Sequence, residues 1–198
     1  MKNENGFTQC TRAVVCGLLF LVLTGVSFSP VAVNAADASP TVLILVRHAE
    51  KKVVPPENKD PDISPAGQAR AEELAHMFSD SKIGAIYATQ YKRTQQTVKP
   101  LADKLGLTVT QIEAKQTPEL VKQIRAKNMG QVVFIAGHNN TVPEIIAAMG
   151  GPQLPIIPET EYDNLFILTV PGNGKAVLLT MKYGSSQTPL GNEGMSKP

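Results

Sequence analysis

Residues 41–52 read TVLILVRHAEKK. Five apolar residues, Val42 to Val46, follow a threonine, and the run then breaks into arginine, histidine, alanine, glutamate and two lysines. A short run of branched residues with no polar alternation is the pattern of a strand buried on both faces, and such strands belong to parallel sheets covered by helices. In an open parallel sheet the ligand sits beyond the carboxyl ends of the strands. Arg47 and His48, which stand at that end, are therefore candidates for chemistry.

The same handover recurs twice. IGAIYA at 83–88 gives way to TQYKRT, which contains Arg93, and VVFIAG at 132–137 gives way to His138, Asn139 and Asn140. Helical patterns lie between the apolar runs. The stretch at 64–78 opens with Ser64 as N-cap and Pro65 at the first helical position. The next, at 91–106, carries Pro100, expected to kink or interrupt it, and ends at Gly106. A short helix is expected from Pro118 to about Lys127 after a weaker strand, LTVTQI, and another over TVPEIIAAMGG. LFILTV, the turn PGNG and AVLLTMKY predict a hairpin at the end. The fold class predicted is α/β: a three-layer sandwich, a mostly parallel sheet with helices on both faces and an antiparallel C-terminal hairpin. His76, between Ala75 and Met77 on a helical pattern, is expected to be a core histidine.

The first 35 residues read differently. Lys2 and Arg12 precede AVVCGLLFLVLTGVSFSPVAV, and VNA closes the segment before Ala36. A basic start, an apolar centre and small residues at the cut predict a signal peptide at 1–35, hence an exported, periplasmic or secreted protein of residues 36–198; the alternative is an uncleaved anchor. Both cysteines, Cys10 and Cys16, leave with that segment, so disulfides, thiol catalysis and cysteine-ligated metals leave with it. Residues 36–198 hold 17 Lys and Arg against 16 Asp and Glu, a balance of +1. No basic stripe is visible, so nucleic acid is not an expected partner, and no stable membrane insertion is expected after cleavage. From about residue 184 the composition is that of a loose tail.

One sheet edge that gathers two arginines and two histidines, with no carboxylate beside any of them in sequence, is unstable unless an anion fills it. It reads as a phosphate pocket, because the planar paired donors of arginine suit phosphoryl oxygens. The motifs VRHAEK, DISPAGQARA, YATQYKRTQQT and VVFIAGHNNTVPEI, in that order over about 41–183, resemble the histidine phosphatase superfamily, the group of the phosphoglycerate mutases and small phosphohistidine phosphatases. The commonest family form has glycine after the histidine, where this chain has Ala49.

The resemblance implies that His48 is the nucleophile and forms a phosphohistidine that water hydrolyses. It implies that Arg47 and Arg93 clamp the phosphoryl oxygens, that His138 stabilises developing charge, and that neither metal nor cofactor is needed. Family members often place a general acid after the third strand. Glu113 is nearest to that place, with Glu50, Asp62 and Glu144 as other candidates; Asn139 excludes the type with aspartate directly after the second histidine. Asn139 either binds phosphate or caps the following helix, and Lys51 draws anions to the mouth. Tyr162 and Asp163 are expected to shape one wall or to anchor the last strand.

HAE matches the H-x-E of zinc deaminases, but their P-C-x-x-C partner is missing after residue 35, and no H-E-x-x-H, P-loop or G-x-S-x-G occurs. Two functions of different class stay open. One is a metal-independent phosphohydrolase acting on a phosphorylated small molecule or on lipid-linked or protein-borne phosphate. The other is a noncatalytic phosphate-binding or sensing domain of the same fold.

Overall fold

The computed structural model describes residues 39–185. The expectations for residues 1–35 and for the tail past Ser185 fall outside these described residues.

Six strands form one sheet in the order β3-β2-β4-β1-β5-β6. Strand β1 is Thr41–Arg47, β2 Ile83–Thr89, β3 Val109–Ile112, β4 Val132–Gly137, β5 Asn164–Val170 and β6 Val177–Lys182. The first four run parallel, while β5 pairs antiparallel with β1 and β6 with β5. The helices are α1 (Pro65–Met77), α2 (Lys92–Leu105), α3 (Thr117–Lys127) and α4 (Thr141–Ala148). Successive residues of a strand point to opposite faces, so each apolar run feeds two cores. Leu43, Leu45, Val133 and Ile135 pack on α3 and α4 through Ile124 and Ile146, whereas Ile44, Val46, Phe134 and Ala136 pack on α1 and α2 through Leu74 and Leu101. The layers and the antiparallel hairpin are those the sequence predicts.

Local chemistry sets the element ends. The Ser64 hydroxyl accepts a hydrogen bond from Gly67 N, and Gly106 closes α2 in the left-handed conformation with φ 65°. Of the two outcomes expected at Pro100, a kink or an interruption, the interruption does not occur, and α2 runs through it. Val98, Leu101 and Ala102 flank the proline and are buried against the sheet; that packing outweighs the one backbone bond the ring removes. His76 is exposed, not a core residue, because the buried stripe of α1 runs through Gly67, Arg70, Ala71, Leu74 and Ala75. Arg70 donates from Nη1 to the Tyr183 carbonyl at 2.9 Å and from Nη2 to the Ser185 carbonyl at 2.8 Å, which holds the last described residues against α1. The same guanidinium is forked onto buried Glu50, which ties α1 to the segment after β1.

Candidate active site

The parallel strands β1, β4 and β2 end side by side. Arg47 pairs in register with Gly137, and Ala136 with Ala88. His48, His138 and Thr89 thus follow at one level, and a cleft of about 270 Å³ opens above them. Arg47, His48, Lys51, Arg93, His138 and Asn139, all named from the sequence, line this cleft. Glu113 does not. It is exposed beyond the end of β3 and faces a neighbouring narrow hollow, while the adjacent Ala114 and Lys115 reach the cleft.

His48 is 4% exposed. Its backbone N–H donates to the Gly137 carbonyl at 2.9 Å, which continues the β1–β4 ladder one residue past the strand. Its ring lies 2.8 Å through Nδ1 from the Ala49 carbonyl. A carbonyl can only accept, so Nδ1 carries the proton and the lone pair of the neutral ring resides on Nε2. Burial, opposed in part by the bond to Ala49 and reinforced by Arg47, His138 and Arg93, lowers its pKa from 6.5 to about 3. Ala49 N–H donates to Thr97 Oγ1 at 2.8 Å. The methyl group that replaces the usual glycine is fully buried with Ile63 and Ala71, so alanine fits there.

The Arg47 guanidinium is 1% exposed and held from several sides. Nη1 donates to the carbonyls of Pro158 (2.8 Å) and Glu161 (3.1 Å), and Nη2 to Glu159 Oε2 (2.6 Å). Its plane lies 4.4 Å from the Tyr162 ring centre. These partners come from the loop before β5, which enters the sheet beside β1 in the opposite sense and so arrives over the carboxyl end of β1. Arg93, at the start of α2, lies 4.3 Å over Tyr91 and 3.7 Å from Asp60. Among the described residues, Arg47 Nε and Arg93 Nε are buried without a hydrogen-bond partner. Two orphaned cationic donors at one cleft suit an anion with several acceptor oxygens.

His138 Nε2 lies 2.9 Å from Thr89 Oγ1, which is 2.8 Å from Thr94 Oγ1, and Thr94 Oγ1 donates to the Tyr91 carbonyl at 2.8 Å. With the Thr94 proton so placed, Thr89 donates to Thr94 and accepts from His138 Nε2–H, which leaves Nδ1 as the ring nitrogen for the cleft. Burial, then Arg93 and Arg47, lower the His138 pKa from 6.5 to about 4. Its ring meets His48 edge-on at 5.4 Å between centres. Asn139 does not cap α4 through its side chain, since Nδ2 donates to Glu159 Oε1 at 2.8 Å. Tyr162 and Asp163 divide the roles expected of them, Tyr162 lying under Arg47 and 6.0 Å from His48, and Asp163 anchoring β6 through Lys182 at 2.8 Å.

Four contributors were not singled out from the sequence: Glu159, Asp60, Thr89 and Tyr91. The first two sit in loops whose path is set by tertiary packing, and they supply carboxylates that the local sequence around each cation lacks. Thr89 had a readable cue, being the last residue of an apolar strand that ends on a hydroxyl.

Among curated proteins no sequence relative matches the chain. Residues 43–116 match the family model "Histidine phosphatase superfamily (branch 1)". Solved structures share the fold. A candidate phosphohistidine phosphatase, SixA, from Agrobacterium tumefaciens is 23% identical with TM-score 0.56, over 73% of this chain and 99% of that one. The protein histidine phosphatase SixA complexed with tungstate is 16% identical with TM-score 0.59, over 71% and 96%. A phosphoserine phosphatase with 3-phosphoglyceric acid from Entamoeba histolytica is 15% identical with TM-score 0.57, over 74% and 98%. Residues 43–116 thus match the model of the histidine phosphatase superfamily, and the described chain shares the fold of these solved structures.

Proposed function

We propose that the chain is a metal-independent phosphohydrolase that works through a phosphohistidine on His48 and acts on a phosphorylated substrate of the cell envelope or exterior. The reading rests most heavily on His48, whose Nδ1–H is committed to Ala49 and whose Nε2 lone pair stays free beside two arginines. The low pKa keeps this nitrogen unprotonated at neutral pH. The family match, and the tungstate carried by a similarly folded histidine phosphatase, support a phosphoryl ligand.

In this reading the substrate phosphoryl group satisfies the orphaned nitrogens of Arg47 and Arg93. His48 Nε2 attacks phosphorus, the bond to the leaving oxygen breaks, and water later displaces the imidazole. His138, held through its Nε2–H by Thr89, turns Nδ1 to the cleft; a bound phosphoryl dianion offsets the arginines that help keep this ring neutral, and Nδ1, once protonated, donates to the equatorial oxygens, where a fixed donor counts most. Asn139 and Lys51 complete the binding surface, and the cleft is open enough for small-molecule, lipid-linked or protein-borne phosphate. The export assignment rests on the leader pattern of residues 1–35.

The test is hydrolysis of p-nitrophenyl phosphate by the full chain. Activity is expected to survive a chelator, because Arg47 and Arg93 balance the phosphate charge. His48→Ala should abolish it with the fold retained, and Arg93→Ala or His138→Ala should each cost roughly 10²- to 10³-fold. Loss in chelator with recovery on adding a divalent ion, or a fully active His48→Ala protein, would contradict the reading. Tight orthophosphate binding with no hydrolysis would favour the noncatalytic domain.

A further inference from the structure

We propose that Glu159 is the proton donor to the leaving group. The inference rests on the phosphohydrolase reading above and names the one role that reading leaves open. Among the described residues, Glu159 is the only carboxylate that lines the cleft containing His48 and His138. Glu113 is exposed beside a different hollow, and its one backbone contact of note is a carbonyl that accepts from Gln116 N–H at 2.8 Å.

Two features fit Glu159 to the task. The first is mobility of the side chain on a fixed backbone. Arg47 Nη1 holds the carbonyls of Pro158 and Glu161, and Ile157 N–H donates to the Asn139 carbonyl at 3.0 Å, so the loop is pinned on both sides of the residue. The Glu159 side chain is nevertheless 68% exposed, against 2% for its partner Arg47. It can therefore turn without moving the loop. The second feature is position. A phosphoryl transfer places attacking and leaving atoms roughly in line. His48 is buried at the floor and Glu159 stands exposed at the mouth, so a leaving oxygen opposite Nε2 departs toward Glu159.

Substrate binding itself frees the acid. In the free protein Glu159 Oε2 accepts from Arg47 Nη2 and Oε1 from Asn139 Nδ2, the donors that a phosphoryl group needs. A dianionic ester takes both donors. The displaced carboxylate then loses its cation and turns toward the leaving oxygen. In the first step His48 Nε2 bonds to phosphorus, the P–O ester bond breaks with its electron pair on oxygen, and the Glu159 proton passes to that oxygen. In the second step the Glu159 carboxylate takes a proton from the attacking water, a P–O bond forms, and the P–N bond returns its pair to His48. The net change is ester plus water to alcohol plus phosphate, with Glu159 protonated before and after.

The test uses the full chain and two esters, 2-glycerophosphate and p-nitrophenyl phosphate. An alkoxide needs a proton to leave and a nitrophenolate does not. Glu159→Gln should slow the alkyl ester about 10²- to 10⁴-fold and the activated ester less than about fivefold. Equal slowing of both would overturn the inference and make Glu159 a prop for Arg47. Faster turnover of both with tighter orthophosphate inhibition would overturn it too, leaving only an anion stand-in. The same holds if Glu113→Gln shows the differential loss instead, or if the wild-type protein hydrolyses only the activated ester. Failure of the underlying reading looks different: a wild-type protein that turns over neither ester.

Discussion

His48 and His138 are buried as neutral rings, and this has a consequence for stability. Their pKa values fall from 6.5 to about 3 and about 4, with desolvation the largest cause in each case. Between those values and 6.5 the unfolded chain binds protons that the folded chain refuses, so stability is full above pH 6.5 and falls as pH drops. At pH 5, above the carboxylate range, each ring should cost roughly 2 kcal/mol. Urea unfolding at pH 7 and pH 5 measures this, and a His48→Asn/His138→Asn protein should lose most of the difference. Equal wild-type stability at the two values would show the rings to be solvated. At this scale the sequence revealed the groups that follow apolar strands, because a polar residue there breaks a pattern. It was silent on Glu159 and Asp60, exposed carboxylates in loops that look like any surface acid until Arg47 and Arg93 are seen beneath them.

Among the elements, α1 is tied to the segment just after His48 through the Arg70–Glu50 pair. Glycine near the start of a helix ordinarily invites alanine, which is favoured by up to about 1 kcal/mol. Here the sign should reverse. A Cβ on Gly67 would collide with the Glu50 carbonyl and sit 3.0 Å from the Ile63 Cβ. Gly67→Ala is expected to destabilise by about 1–3 kcal/mol, the cost of overpacking a full interior, and to lower kcat/KM by displacing the segment just after His48. Thermal unfolding and kinetics check both effects; a stabilised, fully active protein would show that the helix has room to shift. The strands and most helix ends were legible because their signals are local: branched runs, the Ser64 cap and Gly106. Pro100 does not interrupt α2 because a helix held by Val98, Leu101 and Ala102 tolerates a lost bond that an isolated helix would not. His76 misled because one turn of apolar neighbours does not fix which way a helix faces.

Across the sheet, the order β3-β2-β4-β1-β5-β6 explains why His48 and His138, 90 positions apart, meet. Strands β1, β4 and β2 are neighbours and parallel, so Arg47, His48, Thr89 and His138 leave the sheet at one edge, and β5, running the opposite way beside β1, brings the loop with Glu159 and Tyr162 over them. Core packing on both faces backs that edge, which suits the proposed role of His48 as a nucleophile with a fixed tautomer. The central claim is that phosphorus becomes bonded to His48, and trapping tests it most directly. The full chain should be mixed with p-nitrophenyl [³²P]phosphate, quenched in alkali and mapped by peptide. The expected result is one labelled peptide carrying phosphate on His48, lost on brief acid treatment and absent from His48→Ala. Turnover with no label on His48, or stable label on another residue, would contradict the account.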